Sequence, residues 1–269
     1  MESTAFACFR CGQPKKSKLI AVYNHDWSKK LCNGCYGRLL SLYEIKAGTA
    51  ADDQRAEELG SVLVSSVALD DQREAEQLFK TSEKRSEYLS PEGLRFVATA
   101  EHVAGHLDAA PQLEWSPAVI GLCKAVEAEI VGRIVRPLAA HTSRDNLGDD
   151  KRDPDVGRMA IFCSEPSRKP PELGTFAHFL QTAINSQQRR QTSVLIRAFL
   201  HVAADWTGSQ WLLDPKGFHP ALMSLTTNFR NRAAHIDELG KEDYHACRDF
   251  VLGSHGLLWK LVLSTTRHH

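Results

Sequence analysis

From about residue 54 onward, apolar residues recur three and four positions apart, the period of helices with one buried face. Residues 54–87 are polar and helix-favouring, with Leu59, Val62, Leu63, Val67, Leu78 and Phe79 as sparse anchors. They predict one long helix or two shorter ones, with coiling on a partner as a further option. Ser90-Pro91-Glu92 reads as a cap, a proline in the first turn and an acid, so a helix starts there and continues through Leu94, Phe96, Val97 and Leu107. After a break at 109–113, Ser116-Pro117 opens a helix to about Arg136. Its stripe is Val119, Ile120, Cys123, Val126, Ile130 and Ile134, with Glu127 and Glu129 off it. Further helices are predicted at 173–187, 193–206, 220–235 and 243–263, the last interrupted at Gly253. Residues 141–172 and 207–219 read as loops, the first with an apolar interruption at Met159–Cys163.

The first 46 residues follow another pattern. Leu19–Tyr23 and Trp27–Leu31 predict two strands around Asn24-His25-Asp26, and Leu39, Leu40, Tyr43 and Ile45 predict a short helix. Cys8 and Cys11 form one C-x2-C pair, Cys32 and Cys35 a second. Two such pairs predict a tetrahedral four-thiolate zinc site, with Gly12 and Gly34 permitting the turns. Knuckle, hairpin, knuckle and helix in this order resemble a treble-clef zinc finger. Four thiolates leave no open position, so the zinc is expected to be structural; a redox role for the paired thiols is the alternative. His102 and His106 are four apart but lack the glutamate of a zinc protease, so helix-face histidines are the plain reading. Cys123, Cys163 and Cys247 fall on apolar faces as core residues.

The formal net charge is zero, but its distribution is uneven. Residues 1–46 hold eight basic and three acidic residues, a net of +5; residues 51–92 hold eleven acidic and five basic, a net of −6. The basic end could meet nucleic acid or pack on the acidic stretch. No apolar run reaches membrane-spanning length and no signal-peptide pattern is present, so no membrane partner and a cytoplasmic location are expected. Phosphate loops of Walker type, G-x-S-x-G and kinase signatures are absent from the sequence.

The densest chemistry lies in Pro220–His235, where Leu222, Leu225, Phe229 and Ala233 share a helical face. The polar end reads Arg230-Asn231-Arg232-Ala233-Ala234-His235: a fixed cation, an amide and an imidazole. Asn231 and His235 share a face. Arg230 and His235 diverge by roughly 140° on a straight helix, so one site needs the helix to end or bend there, or needs a second chain. With 19 arginines and 12 histidines, about one R-x4-H match is expected by chance. Arg136–His141 is a second match, with Pro137 after the arginine, and reads as a decoy.

Arg-Asn-x-x-x-His in this setting resembles the motif of HEPN domains, all-α domains found in many prokaryotic ribonucleases. The resemblance covers roughly the last 150 residues. The rest is unaccounted for by it; with the cysteine pairs, the chain divides into a four-cysteine zinc finger at 1–48, a helical linker region at 49–111 and a HEPN-like bundle at 112–266, a mainly α protein. The resemblance implies a metal-independent endoribonuclease acting by 2′-OH attack, in the manner of a toxin or anti-phage effector. His235 would move the proton, Arg230 clamp the phosphate, Asn231 orient the reacting groups and Arg232 add a phosphate contact. It also implies an RNA substrate and a homodimer whose two motifs face one cleft. One toxin branch carries Tyr two residues after the histidine; here that residue is Asp237, which speaks against regulation by that route. Two other readings stay open. One is a catalytically silent RNA- or protein-binding module, with the zinc finger recognising a regulatory protein or nucleic acid. The other is a DNA-reading finger on a dimerising bundle.

Overall fold

The computed structural model describes residues 3–9, 12–23, 25–65, 67–107, 114–235 and 239–267. Two antiparallel hairpins come first. β1 (Thr4–Ala7) pairs with β2 (Pro14–Ser17), Thr4 opposite Ser17; β3 (Ala21–Tyr23) pairs with β4 (Asp26–Leu31), Ala21 opposite Leu31. The second hairpin lies where the sequence places it. The first lacks apolar alternation, is mostly exposed, and gave no strand signal. His25 turns the β3–β4 connection at φ +59°, in the left-handed region where only a few non-glycine residues sit.

Helices follow: α1 (Asn33–Ala47), α2 (Asp52–Ser65), α3 (Leu69–Ser82), a 3₁₀ turn at Lys84–Tyr88, and α4 (Pro91–Leu107). The polar stretch 54–87 is thus two helices and not one. The next helix, α5 (Ser116–Ile130), is the centre of the molecule, and all fifteen of its residues are buried. It touches α2, α4, α14, α15 and α16, those last three being Asn231–Ala234, Lys241–Leu252 and Leu257–Ser264. A Cβ on Gly121 would come within 2.6 Å of Leu63 and 2.8 Å of Ala100, so glycine lets α2 and α4 close on α5. Residues 52–107 therefore supply core and do not merely link two bodies.

Burial all round α5 takes in its polar residues too. Lys124 Nζ donates to Glu57 at 2.6 Å and to Glu127 at 2.9 Å. The fully buried Glu129 accepts from Arg133 and from the Ser90 N–H. Leaving the buried Lys124 or Glu129 unpaired would cost several kcal/mol, so these pairs are conditions of the packing.

The expected 116–136 helix changes character at its end. Val131–Val135 is a π-helical turn, in which the Arg136 N–H donates to Val131 O, and α6 (Arg136–His141) follows. Pro137 explains the change: it has no N–H for the α-helical bond and its ring crowds the carbonyl four residues back. The predicted loop 141–172 instead contains α7 (Gly148–Arg152) and α8 (Gly157–Ser164), the latter burying Met159, Ala160, Phe162 and Cys163. Then come α9 (Leu173–Asn185), α10 (Gln187–Thr192) and α11 (Val194–Ala204), with Ser186 and Ser193 capping α10 and α11 through their side chains. Residues 207–219, also predicted as loop, hold α12 (Ser209–Leu213). The candidate helix follows as α13 (Phe218–Leu225), a π-helical turn over Thr226–Arg230, and α14. α15 and α16 close the chain, separated at Gly253 as expected.

The buried apolar residues form a single cluster from Cys8, Leu31 and Leu42 to Val262. A buried polar knot fastens the amino-terminal part to it. Lys46, at the end of α1, reaches Glu114 Oε2 at 3.0 Å and Ser116 Oγ at 3.1 Å. Glu114 Oε1 accepts from the N–H groups of Ser116 at 3.0 Å and Leu239 at 3.2 Å. Trp115 N–H donates to Leu239 O at 3.0 Å. One knot thus joins α1, the entry to α5 and the segment just beyond the Arg-Asn-x-x-x-His stretch.

Candidate functional site

Two groups of residues carry candidate chemistry. In the first, Cys8, Cys32 and Cys35 place their sulfur atoms within 4.8 Å of one another, grouped to hold a metal ion. Cys8 leaves β1, Cys32 precedes α1, and Cys35 lies in the first turn of α1, whose positive dipole end favours thiolate. The knuckle turns through Gly12 at φ +67°, with Gly12 N–H donating to Cys8 O at 2.8 Å. The Cys32 N–H donates to Cys8 Sγ at 3.3 Å, a bond that suits a charged sulfur. Thiolates at about 2.3 Å from a tetrahedral zinc stand about 3.8 Å apart, so this grouping accepts one with small adjustment. Cys11, the predicted fourth ligand, lies outside the described residues. His25 is exposed and stands apart from the group.

The second group is the carboxyl end of the candidate helix. The Asn231 N–H donates to Thr226 O, five residues back, and Thr226 Oγ1 bonds its own turn through Leu222 O at 2.9 Å. This wide turn shifts the buried face. Leu222, Leu225, Thr226, Arg230, Ala233 and Ala234 are buried, while Phe229 is only partly so. Arg230, predicted at a polar end, therefore points inward. It is 2 % exposed and ion-paired, Nη1 to Oδ1, with Asp53 of α2. Its Nε has no hydrogen-bond partner among the described residues, and neither has the buried Asn231 Oδ1.

α14 ends at Ala234. His235 follows in extended conformation, φ −87° and ψ 175°, exposed, with its N–H shared between Asn231 O at 3.0 Å and Arg232 O at 3.2 Å. Arg232 is exposed and paired with Asp243 at 3.0 Å. The helix thus ends at Ala234, one of the three arrangements left open by the sequence, but Arg230 and His235 are not presented together to solvent. Asp237 lies outside the described residues, and the partner seen for Arg230 is Asp53.

Around Arg230 the charges are coupled. Burial by itself would raise Glu57, but the bond to Lys124, with Lys169 and Arg230 nearby, holds its carboxyl below the usual value. Glu172, just before α9, is pushed up, first by burial and then by sharing a hydrogen bond with the Asp53 carboxyl. Asp53, Glu57, Lys124 and Glu172 were not singled out in the sequence. Each is an ordinary charged residue far from position 230 in the chain, and no spacing rule connects them. Arg136 and His141, the decoy pair, are both exposed. Arg136 borders a 170 Å³ cavity beside Glu57 and Lys124, and the His141 ring lies 5.5 Å from that of His201.

The His102 and His106 rings lie 4.5 Å apart, tilted by 48°, and among the described residues no third ligand joins them. Cys123, Cys163 and Cys247 are buried core residues, and burial pushes the Cys163 thiol up to about 12, which leaves it unreactive. No helix among the described residues is long and apolar enough to cross a membrane. Compared with known protein families, curated proteins and solved structures, the chain finds no match.

Proposed function

We propose that the helical body is a HEPN-like, metal-independent endoribonuclease, and that the cysteine group holds one structural zinc. The observation that carries the reading is the helix end at Ala234, which delivers His235 exposed, one turn beyond Asn231. His235 takes the proton from a ribose 2′-OH, the oxygen attacks the adjacent phosphorus, the P–O5′ bond breaks, and the imidazolium so formed gives its proton to the leaving 5′-oxygen. The products are a 2′,3′-cyclic phosphate and a 5′-hydroxyl, with no water consumed. Arg232 at the surface meets phosphate. Arg230 serves as clamp only after leaving Asp53, so this chain on its own is a resting form. A withheld clamp suits an effector that waits for a trigger, as a toxin or an anti-phage effector does. Pairing of two chains around their His235 ends would build the cleft.

A second reading has its own observation. Arg230 is sealed against Asp53, and a buried ion pair is a sound reason for an arginine to exist without any catalysis. On that reading the bundle binds RNA or protein and cuts nothing. Incubating the purified full chain with mixed RNAs in EDTA, then analysing the product ends, separates the two. Cyclic phosphate ends that disappear in His235→Ala support the nuclease. Cleavage that survives His235→Ala, or RNA left intact both by the parent and by Asp53→Asn, which frees Arg230 from its pair, leaves the binding module.

A further inference from the structure

The surface of the cysteine-bearing hairpins carries a feature that neither reading of the bundle uses. Trp27 on β4 is 69 % exposed, unusual for the largest apolar side chain. Alternation along β4 puts Trp27 and Lys29 on one face. Lys29 Nζ lies 5.7 Å from the centre of the Phe9 ring, and Phe9 stacks on Tyr23 at 6.1 Å. Phe9 N–H donates to Lys30 O at 2.7 Å, which fixes the knuckle beside β4. Trp27, Lys29 and Phe9 therefore form one aromatic and cationic surface.

The hairpins also carry unpaired lysines. Lys29 is paired with Asp26, but Lys15, Lys16, Lys18 and Lys30 form no ion pair among the described residues. Lys15, Lys16 and Lys18 are exposed, on β2 and the turn after it. Three exposed, uncompensated cations on the first hairpin and its turn, and an uncovered indole on the second, call for a polyanion that also offers flat apolar faces. Single-stranded nucleic acid has both: phosphates for the lysines and unpaired bases for Trp27. A duplex hides its base faces, and an acidic peptide lacks them.

We infer that the hairpin surface centred on Trp27 binds single-stranded nucleic acid, with a base stacked on the indole and the backbone met by Lys15, Lys16 and Lys18. The inference does not rest on the nuclease reading. It is tested on the full chain with a labelled twelve-nucleotide oligodeoxythymidylate, which has no 2′-OH and so cannot be cut by the proposed chemistry. Fluorescence anisotropy should show binding that falls steeply with salt, and the tryptophan emission should be quenched. Trp27→Ala should weaken binding about tenfold and remove most of the quenching, and Trp27→Phe should restore most of the affinity. Changing Lys15, Lys16 and Lys18 together to Gln should lower the salt slope by about 2. Metal content measured on each variant shows that the knuckle is intact. Binding unaltered in both the Trp27→Ala and the lysine variants would place the strand elsewhere and overturn the inference. So would equal affinity for a duplex of the same length, or tighter Trp27-dependent binding of an acidic peptide or an anionic vesicle.

Discussion

At the scale of single residues, Arg230 and His235 make opposite demands on the protein. Arg230 is buried with its charge matched by Asp53, so Arg230→Ala strands a carboxylate and opens a cavity. Asp53 is about a quarter exposed, which reduces the penalty, and a loss of about 3 kcal/mol in urea unfolding is expected. His235→Ala, at an exposed helix end, should cost less than about 0.5 kcal/mol. A large effect at His235 with none at Arg230 would contradict these placements. Inactivity of Arg230→Ala therefore tells little by itself, and Arg230→Lys is the better probe of the clamp, since it keeps the charge. Glu172 adds a pH dependence. Its carboxyl is raised in the folded state, so the stability it contributes is full at pH below the ordinary glutamate value and is lost as pH rises through the raised value. Glu172→Gln should match the parent near pH 4 and exceed it in urea midpoint at pH 7; a variant weaker than the parent at pH 7 would show that the carboxylate is the favoured form. The Arg-Asn-x-x-x-His stretch stood out in the sequence, with a helix end, a bend or a second chain as the ways to make one site of it; the fold has the end. The direction of Arg230 was not legible, because a π-helical turn in the preceding residues displaces the α-helical phase on which the reading depends.

At the scale of elements, strong periodicity translated well. α4, α9, α11 and α15 lie close to their expected positions, because proline, serine and glycine mark their ends. What escaped was short or buried all round: α7, α8 and α12 have too few turns to show a stripe, and α5 looked amphipathic only because its paired charges resembled a solvated face. The cysteine pairs were legible from spacing alone, and Cys8, Cys32 and Cys35 do converge. Freshly purified reduced protein should carry one zinc per chain by elemental analysis, and a metal-free but fully folded protein would end the zinc reading. In Cys8→Ser, amide exchange should quicken across β1 to β4, which have few buried residues of their own. The last turn of α1 should stay protected, because Lys46 is held by Glu114 and Ser116 and not by the metal group.

At the scale of the whole molecule, with His235 exposed and Arg230 turned inward, the proposed nuclease needs more than one chain as it stands to finish its cleft. If two chains pair around their His235 ends, each cleft draws on both, and the sedimenting or scattering mass at micromolar concentration should be that of a dimer. Mixing gives a sharper test than mass alone. Suppose wild-type protein is exchanged with a fourfold excess of His235→Ala, so that a wild-type chain finds a wild-type partner about one time in five. A cleft that needs both histidines then loses roughly four fifths of the activity per wild-type chain, while a self-sufficient chain loses none. The exchange should be run from dilute stocks, so that subunits have time to re-pair before RNA is added. A strict monomer, or activity strictly proportional to wild-type chain across the mixing series, would remove the shared cleft. The proton-transfer role would then have to be completed within one chain, which requires Arg230 to leave Asp53 and reach the same face as His235.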